Sequence, residues 1–254
     1  MKKIKELYKK GLNDSQISEE LNISRAKVLW FRRKHNLISN YKSEQRFSYE
    51  KIIYTDKILN VLYGTLLGDG WLNISTYTKG NTATGGFTHS ESQKEYFYYK
   101  YEKLKEICNV IQYKISKPKF FKKEDRWITG KNQYSVNFKS SPVLQKIHKE
   151  LYFNKKKRIT KEFLKHYNEV SLAFHYMDDG NKIVKNKKVK YVLHTESFST
   201  TSLLRFRKFL LEKWKINTSV FKSSGVLYIK TNSSDTFREI INPYVIDSMK
   251  YKLF

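Results

Sequence analysis

Cysteine is almost absent from this chain: Cys108 is the single one in 254 residues. One thiol cannot close an internal disulfide and matches no zinc-ligand spacing, so Cys108 reads as a core residue in a reducing compartment. Long apolar runs are missing too. The longest, such as residues 58–67, are too short and too interrupted to span a bilayer. The N-terminus is basic but has no secretory apolar region and carries Glu6, so it resembles no targeting peptide. The expectation is an intracellular protein of the cytoplasm, nucleoid or an organelle matrix. Acidic residues are scarce, with 24 Asp and Glu against 50 Lys and Arg, a net charge of +26. An excess this large exceeds an ordinary solvated basic face and implies a polyanionic partner, nucleic acid rather than membrane.

Against that background one short pattern occurs twice, Leu62-Tyr-Gly-Thr-Leu-Leu-Gly-Asp69-Gly70 and Leu172-Ala-Phe-His-Tyr-Met-Asp-Asp179-Gly180. Each copy is an apolar run at helical spacing that ends in Asp-Gly, and glycine there suits a left-handed turn closing a helix. Asp69 and Asp179 then fall in the last turn, where unpaired carbonyls already carry partial negative charge and disfavour a carboxylate by roughly 0.3–1 kcal/mol. Two such helices side by side bring two carboxylates and two sets of carbonyls into one small volume. Such an oxygen-rich site suits Mg²⁺, which takes one or two carboxylates and leaves room for water and phosphate. A single Asp-Gly would be an ordinary turn.

The correspondence extends beyond the helices. Phe87-Thr-His89-Ser-Glu91-Ser92 follows the first acid and Val192-Leu-His194-Thr-Glu196-Ser197 the second. Helical basic and aromatic stretches come next, residues 96–107 and 203–214. Strand-like segments then run into serine pairs, residues 134–141 and 227–234, and each half closes on a lysine-bearing segment, Lys155-Lys-Lys157-Arg158 and Lys250-Tyr-Lys252. Five features in one order indicate a duplicated domain.

These two halves resemble the tandem repeats of a single-chain LAGLIDADG homing endonuclease of the monomeric intron-meganuclease type, over about residues 57–254. The resemblance implies an α+β fold of pseudo-two-fold αββαββα repeats, residues 57–160 and 161–254, forming a DNA-binding saddle. It places strands at residues 71–78, 86–90, 117–123 and 134–139 in the first half and 182–185, 190–195, 219–223 and 227–231 in the second. Their outward side chains would read bases along the major groove, while Lys119, Lys122, Lys139, Lys187, Lys190 and Lys230 would engage phosphate. It also implies hydrolysis of both strands of a long, asymmetric duplex by a monomer, with Mg²⁺, or Mn²⁺ in its place, held by Asp69 and Asp179 and by main-chain carbonyls near Gly68 and Asp178. The Asp178 side chain itself reads as structural. Lys157, among basic neighbours, and Lys252 match the family's active-site lysines. Glu91 and Glu196 stand where relatives carry a water-ordering glutamine, and His89 and His194 would share their strand faces. Gly64 and Gly68 permit close helix approach in the first copy; Phe174 and Met177 are bulkier in the second, so the small face of one helix would receive the large face of the other.

Residues 1–38 have a separate periodicity. Ile4 and Leu7 share a helix face, Gly11-Leu12 interrupts it, and Asn13-Asp14-Ser15 supplies caps for residues 16–21. A turn at residues 22–24 leads into a helix over residues 25–35, with Val28 and Phe31 inward and Arg25, Lys27, Arg32 and Arg33 outward. This resembles a DNA-binding helix-turn-helix, the alternative being a small helical pair that merely packs on the main domain. Residues 39–56, free of Pro and Gly, would link it to the core. Two other functions share this pattern: an RNA maturase acting on intron RNA, and a transcription regulator, which would not need both aspartates. An intein is disfavoured, since the chain begins at Met1 without a splice nucleophile and lacks a terminal His-Asn.

Overall fold

The computed structural model describes residues 2–37, 40, 52–75, 81–121, 125–185, 188–221 and 225–254. They fall into two compact units, residues 1–51 and 52–254. The linker residues 41–51 and the candidate phosphate contacts Lys122 and Lys187 lie outside the described residues.

Among the described residues, the first unit has helices α1 (Lys2–Lys9), α2 (Asp14–Glu20) and α3 (Arg25–Lys34) around a core of Ile4, Leu7, Tyr8, Ile17, Val28 and Phe31. Asn13 caps α2 in a reciprocal capping box with Gln16, and Ser24 caps α3. Arg25, Lys27 and Arg33 are exposed. Arg32 departs from the outward reading. Its Nε lies 3.1 Å from Asp14 Oδ1, and Asp14 also accepts from the Tyr8 hydroxyl. The apolar face buries the Asp14 carboxylate, which needs a cation, so Arg32 serves as an internal strut.

The second unit is built on two neighbouring helices, α4 (Asp56–Leu67) and α8 (Glu169–Asp179), whose Asp-Gly ends lead directly into strands. After α4 come β1 (Trp71–Ile74), β2 (Ala83–Ser90), α5 (Lys94–Leu104), β3 (Gln112–Lys114), β4 (Lys119–Phe121), β5 (Arg126–Ile128), β6 (Gln133–Ser141), α6 (Pro142–Leu151), β7 (Tyr152–Phe153), β8 (Lys156–Lys157) and α7 (Lys161–Leu164). After α8 come β9 (Gly180–Lys185), β10 (Lys188–Leu193), α9 (Thr200–Trp214), β11 (Thr218–Val220), β12 (Leu227–Ile229) and α10 (Ser234–Ile241). Two antiparallel four-stranded sheets result, β1-β2-β6-β3 and β9-β10-β12-β11, with the same strand order; the first half inserts β4 and β5 between β3 and β6. The fold is therefore α+β, and one apolar core runs through both halves.

Of the strand expected over residues 117–123, the described residues 117–121 do not supply the fourth strand of the first sheet. That place belongs to β3, while β4 pairs with β5 in a separate ribbon, Phe120 opposite Trp127. A short strand such as Gln112–Lys114, exposed throughout, carries no period-two signal, which is why sequence reading passes over it.

The helix pair meets small to large. A β-carbon at Gly64 would lie 2.9 Å from that of Phe174, so only glycine lets the backbones come this close. Gly70 and Gly180 differ from expectation. Neither is left-handed; Gly180 is extended at φ −92°. Glycine is needed there because a β-carbon would strike the preceding helical turn, at Gly70 2.7 Å from the Thr65 carbonyl oxygen.

Candidate active site

Asp179 ends α8, and Asp69 follows Gly68, the residue that caps α4. The two carboxylates repel each other. Burial, Asp178 and opposing pulls from Lys100, Lys252 and Lys157 leave Asp69 at a pKa of about 6. Burial, then Asp69 and Asp178, push Asp179 to about 7 against Lys157 and Lys252. In both, burial and neighbouring carboxylates disfavour the ionised form more than the nearby lysines favour it.

Lys157 and Lys252 sit at the ends of their own halves' motif helices. Lys157 Nζ donates to the carbonyls of Gly68 at 3.1 Å and Gly70 at 2.6 Å. Lys252 Nζ donates to those of Met177 at 2.6 Å and Asp178 at 3.2 Å. Burial lowers the pKa of both ammonium groups while the three aspartates pull the other way. The Gly68 and Asp178 carbonyls, read as candidate metal ligands, thus each accept a lysine and keep one further lone pair.

The Asp178 side chain is buried and fully engaged. Oδ1 accepts from Lys100 Nζ at 2.5 Å and from the Tyr96 hydroxyl at 2.6 Å, and Oδ2 accepts from the Asp69 backbone N–H at 3.2 Å. Burial works to raise its pKa, but Lys100, His89 and these hydrogen bonds outweigh burial and hold it below the usual carboxylate range. Lys100, wholly buried, also donates to His89 Nε2 at 2.9 Å and lies over the Phe87 and Tyr96 rings. An ammonium can only donate, so His89 Nε2 accepts and the ring proton is on Nδ1. That nitrogen lies 3.2 Å from Gln93 Oε1 and 3.4 Å from Asp69 Oδ2. Burial and Lys100 push His89 down to about 3, so it is neutral.

Among the described residues, Asp69, His89 and Asp178 gather ligand atoms within 4.8 Å. Lys100 is bound to two of them, so a cation inside that cluster would sit against an ammonium. The donor set that fits a divalent cation is instead the repelling pair Asp69 and Asp179 with nearby carbonyls, all hard oxygen ligands.

Glu91 and Glu196 do not join the paired acids as equivalents. Glu91 begins a 3₁₀ turn after β2 and accepts from Tyr113 at 2.8 Å and Asn132 at 3.0 Å. Glu196 is exposed and 3.0 Å from His194. Strand register explains this. Trp71 pairs with Gly86 and Asn181 with Val192, each following its motif glycine, so Phe87 corresponds to Leu193 and His89 to Thr195. Matching the two histidines by sequence shifts the halves by one residue, which turns every side chain to the opposite face. Hence His89 is buried, and His194 is exposed. The same offset carries through α5 and α9, pairing Tyr96 with Ser202 and Lys100 with Phe206, all four buried.

On the first sheet Tyr134, Val136 and Phe138 of β6 face the core, and Ser135, Asn137 and Lys139 face away. Thr88 and Gln112 lie opposite Ser135, extending an outward polar surface that sequence reading did not itemise. Lys190 and Lys230 are exposed, and Lys119 lies on β4.

Residues 59–237 match the sequence model of the LAGLIDADG DNA endonuclease family. DNA endonuclease I-ChuI of Chlamydomonas applanata is 27% identical over 214 residues, covering 78% of this chain and 95% of that one. Cytochrome b mRNA maturase bI2 of Debaryomyces hansenii is 27% identical over 210 residues, covering 78% and 73%. The chain spans about half the length of several other curated relatives it matches. Among solved structures, homing endonuclease I-WcaI bound to its DNA recognition sequence has the same fold, with a TM-score of 0.66 at 24% identity over 79% of this chain and 87% of that one. With two Asp-Gly helix ends, two lysines on their carbonyls and a family match over most of its length, the chain belongs to the LAGLIDADG DNA endonuclease family.

Proposed function

We propose that this chain is a monomeric, site-specific endonuclease that cuts both strands of a long, non-palindromic DNA duplex, with Asp69 and Asp179 as divalent-metal ligands. The observation that carries the reading is the paired acids at the ends of adjacent helices, raised to about 6 and about 7 by burial and by neighbouring carboxylates, Asp178 for Asp69 and Asp69 with Asp178 for Asp179. Bound there, Mg²⁺ would activate water and stabilise the leaving 3′ oxygen. Lys157 and Lys252 brace the helix-end carbonyls and offer positive charge toward the developing phosphorane oxygens. The outward polar faces of the two sheets would read base edges, and Lys139, Lys190 and Lys230 would hold phosphates. Two non-identical halves on one chain favour an asymmetric site. Arg25, Lys27 and Arg33 of α3 would lengthen the footprint as a tethered helix-turn-helix.

The test is cleavage of a randomised duplex library with Mg²⁺ by the wild type, Asp69→Asn and Asp179→Asn. Selective double-strand breaks that both substitutions abolish, with duplex binding retained, support the reading. Tight binding without cleavage by the wild type sinks it. The similarity to a cytochrome b mRNA maturase favours a second reading, assistance of intron splicing, for which binding of structured RNA by the uncleaving variants is the measurement.

A further inference from the structure

The two motif aspartates are held unequally. Asp69 belongs to a closed ring of polar contacts. Its backbone N–H donates to Asp178, Asp178 accepts from Lys100, Lys100 donates to His89, and His89 Nδ1 faces the Asp69 carboxylate 3.4 Å away. The three supporting side chains are buried, His89 to 1% exposure and Lys100 and Asp178 to 0%. Packing therefore locks their rotamers. The position matching His89 in the other half is Thr195, whose hydroxyl donates to the Gly225 carbonyl at 2.7 Å. The position matching Lys100 is Phe206, and the one matching Asp178 is Gly68, which has no side chain to offer. Among the described residues Asp179 has no comparable ring.

We infer that His89, oriented by Lys100 and Asp178, is a positioning residue for the Asp69 carboxylate alone, and that it makes the Asp69 half the tighter of two unequal divalent-cation sites. The inference rests on the reading of Asp69 and Asp179 as metal ligands. The Nδ1–H, 3.2 Å from Gln93 Oε1, also lies 3.4 Å from Asp69 Oδ2; this shared proton biases the carboxylate plane and leaves Oδ1 for a cation, the way a surrounding donor orients a ligand. The Lys100 charge is balanced by Asp178 inside the ring, so the device presents no net positive charge to an incoming cation. Asp179 must instead restrict its own rotamers when it binds.

Mn²⁺ binding to the full chain, counted by loss of the aqueous Mn²⁺ EPR signal, tests this without recourse to activity. Two classes of site are expected, the tighter removed by Asp69→Asn and the weaker by Asp179→Asn. His89→Ala weakens the tighter class about tenfold or more and spares the weaker. His89 is buried, so loss of packing is separated by two polar replacements. His89→Asn, whose amide nitrogen overlays Nδ1, retains most of the tight binding; His89→Gln, whose amide reaches the Nε2 position, does not. Thr195→Val, at the matching place, leaves both classes unchanged. A single class of equivalent ions, unchanged binding in His89→Ala, or equal losses in the Asn and Gln variants would overturn the inference while the aspartates remain the ligands. Binding that neither aspartate substitution alters overturns the metal-ligand reading itself, and the inference with it.

Discussion

A β-carbon at residue 68 would lie 2.7 Å from Oδ2 of Asp178, so the glycine before one motif acid makes room for the extra aspartate before the other. The two helices are complementary at this point rather than symmetric.

Gly68→Ala should therefore overpack the helix crossing and lower stability by about 1–3 kcal/mol. Urea unfolding should show a lower midpoint at an unchanged slope. An unaltered midpoint would mean that the helices can separate without penalty.

Asp178→Ala should be more damaging, because it leaves the Lys100 ammonium buried without its counter-charge, a loss of about 3–5 kcal/mol. Adding Lys100→Met removes the stranded charge and should restore much of that loss. The pair is enclosed, so the difference between single and double variants should barely change with salt.

The raised carboxyls set a pH trend in metal-free protein. A carboxyl whose folded pKa exceeds its unfolded value favours folding least once ionised, so destabilisation grows from about pH 4, the ordinary Asp value, toward the folded values of about 6 and about 7. At pH 8 with chelator, Asp179→Asn should raise stability by on the order of 1 kcal/mol after allowance for partial exposure, a Tm gain of about 2–4 °C. At pH 3.5, where the acid is protonated folded and unfolded, the gain should vanish.

Metal binding must displace the protons these acids retain, so Mn²⁺ affinity should climb through pH 6–7 and level off above it. The two acids interact, so the titration reports values for the pair. Calorimetry in buffers of different ionisation enthalpy should detect proton release near pH 6 and little at pH 8.5. Release that is constant over this range contradicts the assignment.

Lys157→Met and Lys252→Met should each slow single-turnover cleavage of a selected duplex about 10²–10³-fold while leaving duplex affinity within a few fold. Parallel losses in affinity would make these lysines phosphate anchors instead.

The paired motifs, the acids, the closing lysines and the basic balance were all legible in the sequence by itself, because each is a local pattern or a plain sum. Helical spacing ending in Asp-Gly marks a helix end, and its repetition marks a second one. Register was not legible: matching His89 to His194 looked natural, yet the pairing of Trp71 with Gly86 and Asn181 with Val192 assigns His89 to Thr195. A one-residue slip costs nothing in a string of letters but reverses a strand's faces. Arg32 looked like its exposed neighbours until the fold brought Asp14 beneath it. Lys100 likewise read as one more cation in a basic helix, and the Asp178 side chain as structural but with no partner named. Only the tertiary structure made them partners, because the helix bearing Asp178 packs against the other half and encloses both charges where neither can remain unpaired.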